Sequence, residues 1–153
     1  MNILIVYGSY SGGTQQVAEL MEGTLKEHGH TPTLQNVLTT KPSDFANFDV
    51  VILGSNSWYE QREEGNMHSG FIKLAADLAA DTFAQKKTFV FGLGDSNMYT
   101  ATFTGGVDKL IQMVKDHGGE VSAEALRINR FYFERDENEQ KIIDWIDQIS
   151  QSL

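Results

Sequence analysis

Three short runs of this chain are apolar at almost every position, and no other feature restricts its fold so much. They are Ile3 to Tyr7, the interior of Asp49 to Gly54, and Phe89 to Phe91 within Thr88 to Gly92. A strand with one face in water alternates polar and apolar residues, whereas an unbroken apolar run is a strand covered on both faces. Between these runs the period changes. From Thr14 onward Val17, Leu20, Met21 and Leu25 share one helical face, and His28-Gly29 closes that helix. Phe71, Leu74, Ala75 and Leu78 repeat the spacing, as do Val107, Leu110, Ile111 and Val114, which Gly118-Gly119 stops. A C-terminal helix places Ile142, Ile146 and Ile149 on one face, with Ile143 and Trp145 beside it. Two further strands are predicted, Thr33 to Val37 and a less continuous one from Val121 to Ile128, and the two prolines are read as loop markers.

Five strands alternating with helices predict an α/β fold: a parallel, doubly wound sheet in a three-layer sandwich, with helices on both sides. The 153 residues suit one domain spanning 1–153. In such sheets ligands sit beyond the carboxyl ends of the strands, where the winding direction switches. The segments after strands one, three and four are rich in Gly, Ser and Asn, so three candidate binding loops converge on one edge.

What the site can do is narrowed by what the chain lacks. With no cysteine there is no disulfide framework, thiolate zinc site, cysteine nucleophile or iron–sulfur ligation. The four histidines show no metal-binding spacing, so no metal is expected. His28 and His117 precede glycines at helix ends, and His68 begins the helix after the second loop, where it could approach a ligand's rim. No G-x-S-x-G elbow marks a serine nucleophile, so no catalytic residue is assigned. The net charge of −9 disfavours nucleic acid and anionic lipid and favours basic protein partners. No apolar run approaches the roughly 20 residues that span a bilayer, and the N-terminus lacks the basic flank of a signal peptide. A cytoplasmic protein is expected.

The first loop, Gly8-Ser9-Tyr10-Ser11-Gly12-Gly13-Thr14, lies between a strand and a helix start. Its small residues let backbone amides turn inward, the helix N-terminus adds positive potential, and Ser9, Ser11 and Thr14 supply hydroxyls. This is a phosphate site without a cation. A nucleoside-triphosphate loop needs lysine where Thr14 stands, and no G-x-G-x-x-G fingerprint is present. A plain turn with Thr14 capping the helix is the bland alternative. In the second loop Trp58 and Tyr59 sit among polar residues, an arrangement that suits covering something flat. The third loop runs Gly92-Leu93-Gly94-Asp95-Ser96-Asn97-Met98-Tyr99.

Together these segments resemble the flavodoxin family. Ser9-x-Ser11-Gly12-Gly13-Thr14 is similar to its phosphate-loop signature, although the family usually has asparagine where this chain has Gly13. Gly92-Leu93-Gly94-Asp95 resembles its third loop. The resemblance covers Asn2 to about Ile149 and, lacking the insertion of long-chain members, points to the short-chain class. It implies a flavodoxin-like fold with strand order 2-1-3-4-5 and non-covalently bound FMN. The site residues it implies are Ser9, Tyr10, Ser11, Gly12, Gly13 and Thr14 at the phosphate, Asn56 and Ser57 at the phosphate or ribityl chain, and Trp58 and Tyr59 at the inner ring face. Gly94 and Asp95 fall beside the pyrimidine end, with Tyr99, or Met98 in a shorter alignment, on the outer face.

The activity implied is one-electron shuttling between a basic reductase and acceptor enzymes, by a monomer making transient contacts, rather than catalysis. Glu60, Glu63 and Glu64 are candidates for an acidic field that disfavours the fully reduced anionic flavin, with a solvated charge run as the alternative. Many short-chain members have glycine just after the inner aromatic, where a peptide flips on reduction. This chain has Tyr59-Glu60 there, so the flip is expected to cost more. Rival readings are a flavodoxin-like quinone or azo reductase, a homologue assisting maturation of another enzyme, and a receiver-type signalling domain. The last needs acidic residues where Tyr7-Gly8-Ser9 and Ser55-Asn56-Ser57 stand.

Overall fold

A computed structural model describes residues 1–153. Its chain order is β1 (Asn2–Gly8), α1 (Gly13–Glu27), β2 (Thr31–Asn36), β3 (Val50–Asn56), β4 (Trp58–Glu60), β5 (Glu63–Asn66), α2 (Ser69–Asp77), β6 (Lys87–Gly94), α3 (Gly105–Asp116), β7 (Leu126–Asn129) and α4 (Arg135–Ser150). Two 3₁₀ turns, Val37–Thr39 and Pro42–Asn47, link β2 to β3.

The main sheet is parallel throughout, with order β2-β1-β3-β6-β7. Counting only these five strands, this is the 2-1-3-4-5 order expected. Alternation along each strand divides the core in two. Ile3, Ile5, Ile52 and Phe89 face α1 and α4, meeting Val17, Met21, Ile142 and Ile146. Leu4, Val6, Leu53 and Val90 face α2 and α3, meeting Phe71, Leu74, Val107 and Leu110. The central strands are apolar at every position because each residue belongs to one or other of these two cores.

Three expectations are corrected. Pro32 lies within β2, not in a loop; β2 is an edge strand, where one missing N–H is tolerated. The fifth strand is β7, starting at Leu126, and Val121 makes only an isolated bridge to Thr88. The segment after β3 is not a plain loop but an antiparallel hairpin of β4 and β5. Its turn residues Gln61 and Arg62 have φ of 49° and 66°, left-handed positions that cost about 1 kcal/mol each for non-glycine residues. The register shifts between Trp58 and Glu60, marking a bulge beside the site.

Candidate functional site at the carboxyl edge of the sheet

A cleft of about 750 Å³, including its open mouth, lies at the carboxyl ends of β1, β3, β6 and β7. Eleven of the sequence-predicted residues line it: Ser9, Tyr10, Ser11, Gly13 and Thr14 from the first loop, Asn56, Ser57 and Trp58 from the second, and Gly94, Asp95 and Tyr99 from the third. Met98 lines it as well. Gly12 and Tyr59 do not.

At the first loop, Gly12 takes the left-handed conformation with φ of 89° and precedes α1, whose N-terminus no side chain caps. Thr14 is therefore not a cap; it is the second residue of the helix and is buried. The Gly12 N–H donates to Ser9 Oγ at 3.0 Å, and the Gln16 N–H donates to the Gly12 carbonyl. The amides of Gly13, Thr14 and Gln15 precede Gln16, the first helical donor, so they are the free donors of this turn. Free amides at a helix start favour an anion.

The second loop contributes Asn56 at the end of β3. Both polar atoms of its side chain are buried without a partner. Buried amides are nearly always paired, so this one is poised for a polar ligand. The Ser57 hydroxyl oxygen is already engaged, accepting from the Gly106 N–H at 2.9 Å and so supporting the start of α3. Trp58 lies 42% exposed against the cleft. Tyr59, its neighbour in β4, is 56% exposed and outside the cleft. Successive strand residues point to opposite faces, so the pair cannot both line the cleft.

In the third loop Asp95 is a turn residue. Its carboxylate accepts from the Asn97 N–H at 2.8 Å, and its carbonyl accepts from the amides of Met98 and Tyr99 at 3.0 Å. Asp95 Oδ1 also lies 3.6 Å from Arg130 Nε. These two are the only charged residues lining the cleft, so its lining is electrically balanced.

Sequence reasoning missed the segment after β7. Arg130, Phe131, Tyr132 and Phe133 form a fourth wall. Three aromatics in succession within a polar stretch were visible in the sequence, the same signal that marked Trp58 and Tyr59. His68, by contrast, is not at the rim. It is buried beneath Tyr10, with ring centroids 4.1 Å apart, and its Nδ1 accepts from the Gly70 N–H to cap α2. Of the three glutamates proposed for an acidic field, Glu63 pairs with Lys109 at 2.5 Å and Glu60 accepts from Tyr10.

A doubly wound sheet with free amides at the start of α1 and a largely apolar cleft beyond the carboxyl ends of its strands is the arrangement of a ligand-binding α/β protein. The flavodoxin family model matches residues 5–142. Over 143 residues the chain is 33% identical to a flavodoxin of Maridesulfovibrio salexigens, covering 93% of this chain and 92% of that protein. Its fold matches oxidised flavodoxin 2 of Bacillus cereus with a TM-score of 0.83 and 27% identity, over the whole of both chains. It also matches Fusobacterium nucleatum flavodoxin bound to flavin mononucleotide, with a TM-score of 0.78, 20% identity, and 99% and 98% coverage. The chain belongs to the flavodoxin family. Flavodoxins are electron carriers rather than enzymes, and they exchange electrons with redox partners. No helix is long and apolar enough to cross a membrane.

Proposed function

We propose that this flavodoxin carries single electrons on an FMN held without a covalent bond in the cleft, between a basic reductase and its acceptor enzymes. The observation that carries the reading is the pairing of an uncapped α1 N-terminus with the buried, unpartnered side chain of Asn56 in one cleft. Both are polar requirements that a phosphorylated ribityl chain meets. The amides of Gly13, Thr14 and Gln15 and the hydroxyls of Ser9, Ser11 and Thr14 would take the phosphate, Gly12 setting the turn. Asn56 and Ser57 would take the chain above it. Trp58 and Tyr99 would bracket the ring, with Gly94 and Asp95 at its polar edge. FMN supplies the one-electron chemistry; the protein supplies position, exclusion of water and field.

Charge then selects the partner. A net charge of −9 steers basic proteins toward the surface, and that attraction weakens with salt. Electron-transfer contacts at the small end of the interface range suit a single-domain monomer working in the cytoplasm.

The test is a visible absorption spectrum of the purified protein, repeated after FMN addition and desalting, followed by stepwise anaerobic reduction. Retained yellow colour and two resolved one-electron steps are expected. A protein that stays colourless and retains no FMN refutes the reading.

A further inference from the structure

The segment Arg130–Glu134 is fixed to the rest of the site more firmly than a surface connection requires. Its Arg130 N–H donates to the Gly94 carbonyl at 2.8 Å, and the amides of Phe133 and Glu134 both donate back to the Arg130 carbonyl. Immediately before it, Asn129 exchanges two hydrogen bonds with Ser96, at 2.9 and 3.0 Å. Below it, Phe131 is buried in the core shared by α1 and α4, and the Arg135 guanidinium covers its ring. Above it, Arg130 lies over the Phe133 ring at 4.7 Å. Tyr132 is thereby held out over the first loop.

Its contacts there are specific. The Tyr132 hydroxyl donates to the Ser11 carbonyl at 3.0 Å and accepts from Gln16 Nε2 at 3.4 Å. Ser11 and Gln16 flank the free amides of Gly13, Thr14 and Gln15. The ring fills the space beside Gly13, where a Cβ would stand 3.2 Å from Leu93 Cδ2 and 3.4 Å from Tyr132 Cε2. A Cβ at Gly13 would press on the Leu93 methyl and lie in ordinary contact with this ring. The first loop therefore has no side chain of its own at that position and a tyrosine from the loop after β7 in its place.

We propose that Tyr132 is a positioning residue for the phosphate end of the cofactor site. By bonding the Ser11 carbonyl it fixes the peptide planes of the loop, and with them the free amides at the start of α1, at a position where Gly13 leaves the backbone unrestrained. This rests on the FMN reading above and assigns to β7's loop a role in telling a phosphorylated flavin from an unphosphorylated one. The unpartnered Asn56 side chain in the same cleft supports a polar ligand at this end.

The experiment compares wild-type and Tyr132→Phe apoproteins, each titrated with FMN and with riboflavin while quenching of flavin fluorescence is followed. Losing one neutral hydrogen bond should raise the FMN Kd about 3- to 10-fold and leave the riboflavin Kd unchanged, so phosphate discrimination falls by that factor. Equal losses for both flavins, or no loss for FMN, overturn the proposal. Amide exchange in the flavin-free proteins gives a second readout. Faster exchange at Gly13 to Gln15 in Tyr132→Phe, with an unchanged Tm, supports the anchoring, and identical exchange overturns it. A wild type that retains no FMN refutes the underlying cofactor reading whatever the exchange data show.

Discussion

The Tyr10 hydroxyl stands 2.5 Å from Glu60 Oε1 and joins the phosphate loop to the hairpin that carries Trp58. The same oxygen accepts from the Ser69 N–H at 3.1 Å and lies 2.8 Å from Ser69 Oγ. Its ring stacks on His68 and meets Trp58 edge-on at 5.9 Å. One phenol thus connects β1's loop with the hairpin and the start of α2, which lie 50 and 59 residues further along the chain. Burial, and then the Glu60 carboxylate, push the Tyr10 phenol above its ordinary value of 10.0.

That shift has a sign. A raised value means the protonated phenol is favoured in the folded state, so its contribution is present below pH 10 and lost as pH rises through the folded value. Tyr10→Phe should cost about 1 kcal/mol at neutral pH, or about 2–4 °C in Tm for a chain of this size. The difference from wild type should narrow in thermal melts taken above about pH 10. A gap that stays constant across that range would show that the phenolic proton contributes nothing.

His68 answers to acid instead. Burial pushes its value below 6.5, opposed by the Glu60 carboxylate and by its bond to the Ser9 backbone. A lowered value means the neutral ring is favoured, so its stabilisation is present above pH 6.5 and lost as pH falls through the folded value. Protonating Nδ1 would also turn the acceptor of the Gly70 N–H into a donor and uncap α2. His68→Asn keeps a capping side chain without the titration. Its Tm should fall less than that of wild type between about pH 7.5 and about pH 5. Parallel losses in the two proteins would assign the acid sensitivity elsewhere.

How far the sequence reaches is clear from these residues. Unbroken apolar runs located β1, β3 and β6 because a strand buried on both faces leaves no other pattern. The small and hydroxylated residues after them located most of the cleft. The β4–β5 hairpin was invisible because its turn is Gln61-Arg62, with no glycine or asparagine, and its strands carry Glu60, Glu63 and Glu64 rather than an alternating apolar face. Tyr10 was placed at the phosphate, yet nothing local announced Glu60 or Ser69 as its partners; that contact exists only once the sheet brings the loops together. The wall after β7 was missed for the opposite reason. Its aromatic signal was present and the fifth strand was expected to end at Ile128, but Arg130 to Phe133 carries none of the glycine, serine and asparagine that marked the other three loops.

Two glycines should respond oppositely to the same methyl group. At Gly94 a Cβ would fall 1.3 Å from the Phe103 carbonyl oxygen, so Gly94→Ala must displace either β6's end or the backbone of the third loop. Overpacking of backbone on backbone costs about 1–3 kcal/mol or more, and FMN retention should fall with it. Gly23 is exposed within α1, and a methyl group there would meet nothing within 4 Å. Gly23→Ala should therefore stabilise by about 0.5–1 kcal/mol through helix propensity, with FMN retention unchanged. Urea denaturation of both variants checks the pair, and a neutral Gly94→Ala would mean the third loop yields freely.

Tyr99 and Met98 both line the cleft, and flavin binding can separate their roles. The N–H of each is tied to the Asp95 carbonyl at 3.0 Å, but Met98 is 64% exposed whereas Tyr99 is half-buried. A half-buried phenol offers a flat face at low entropic cost; an exposed thioether does not. Tyr99→Leu should therefore raise the FMN Kd about 3- to 10-fold and Met98→Leu less than about twofold, from the usual worth of an aromatic pair. Contact with the ring takes no account of phosphate, so Tyr99→Leu should weaken riboflavin by the same factor as FMN. Equal effects at the two positions would place the outer face on Met98 as much as on Tyr99. A loss confined to FMN would move Tyr99 from the ring to the phosphate end, where Tyr132 is already placed.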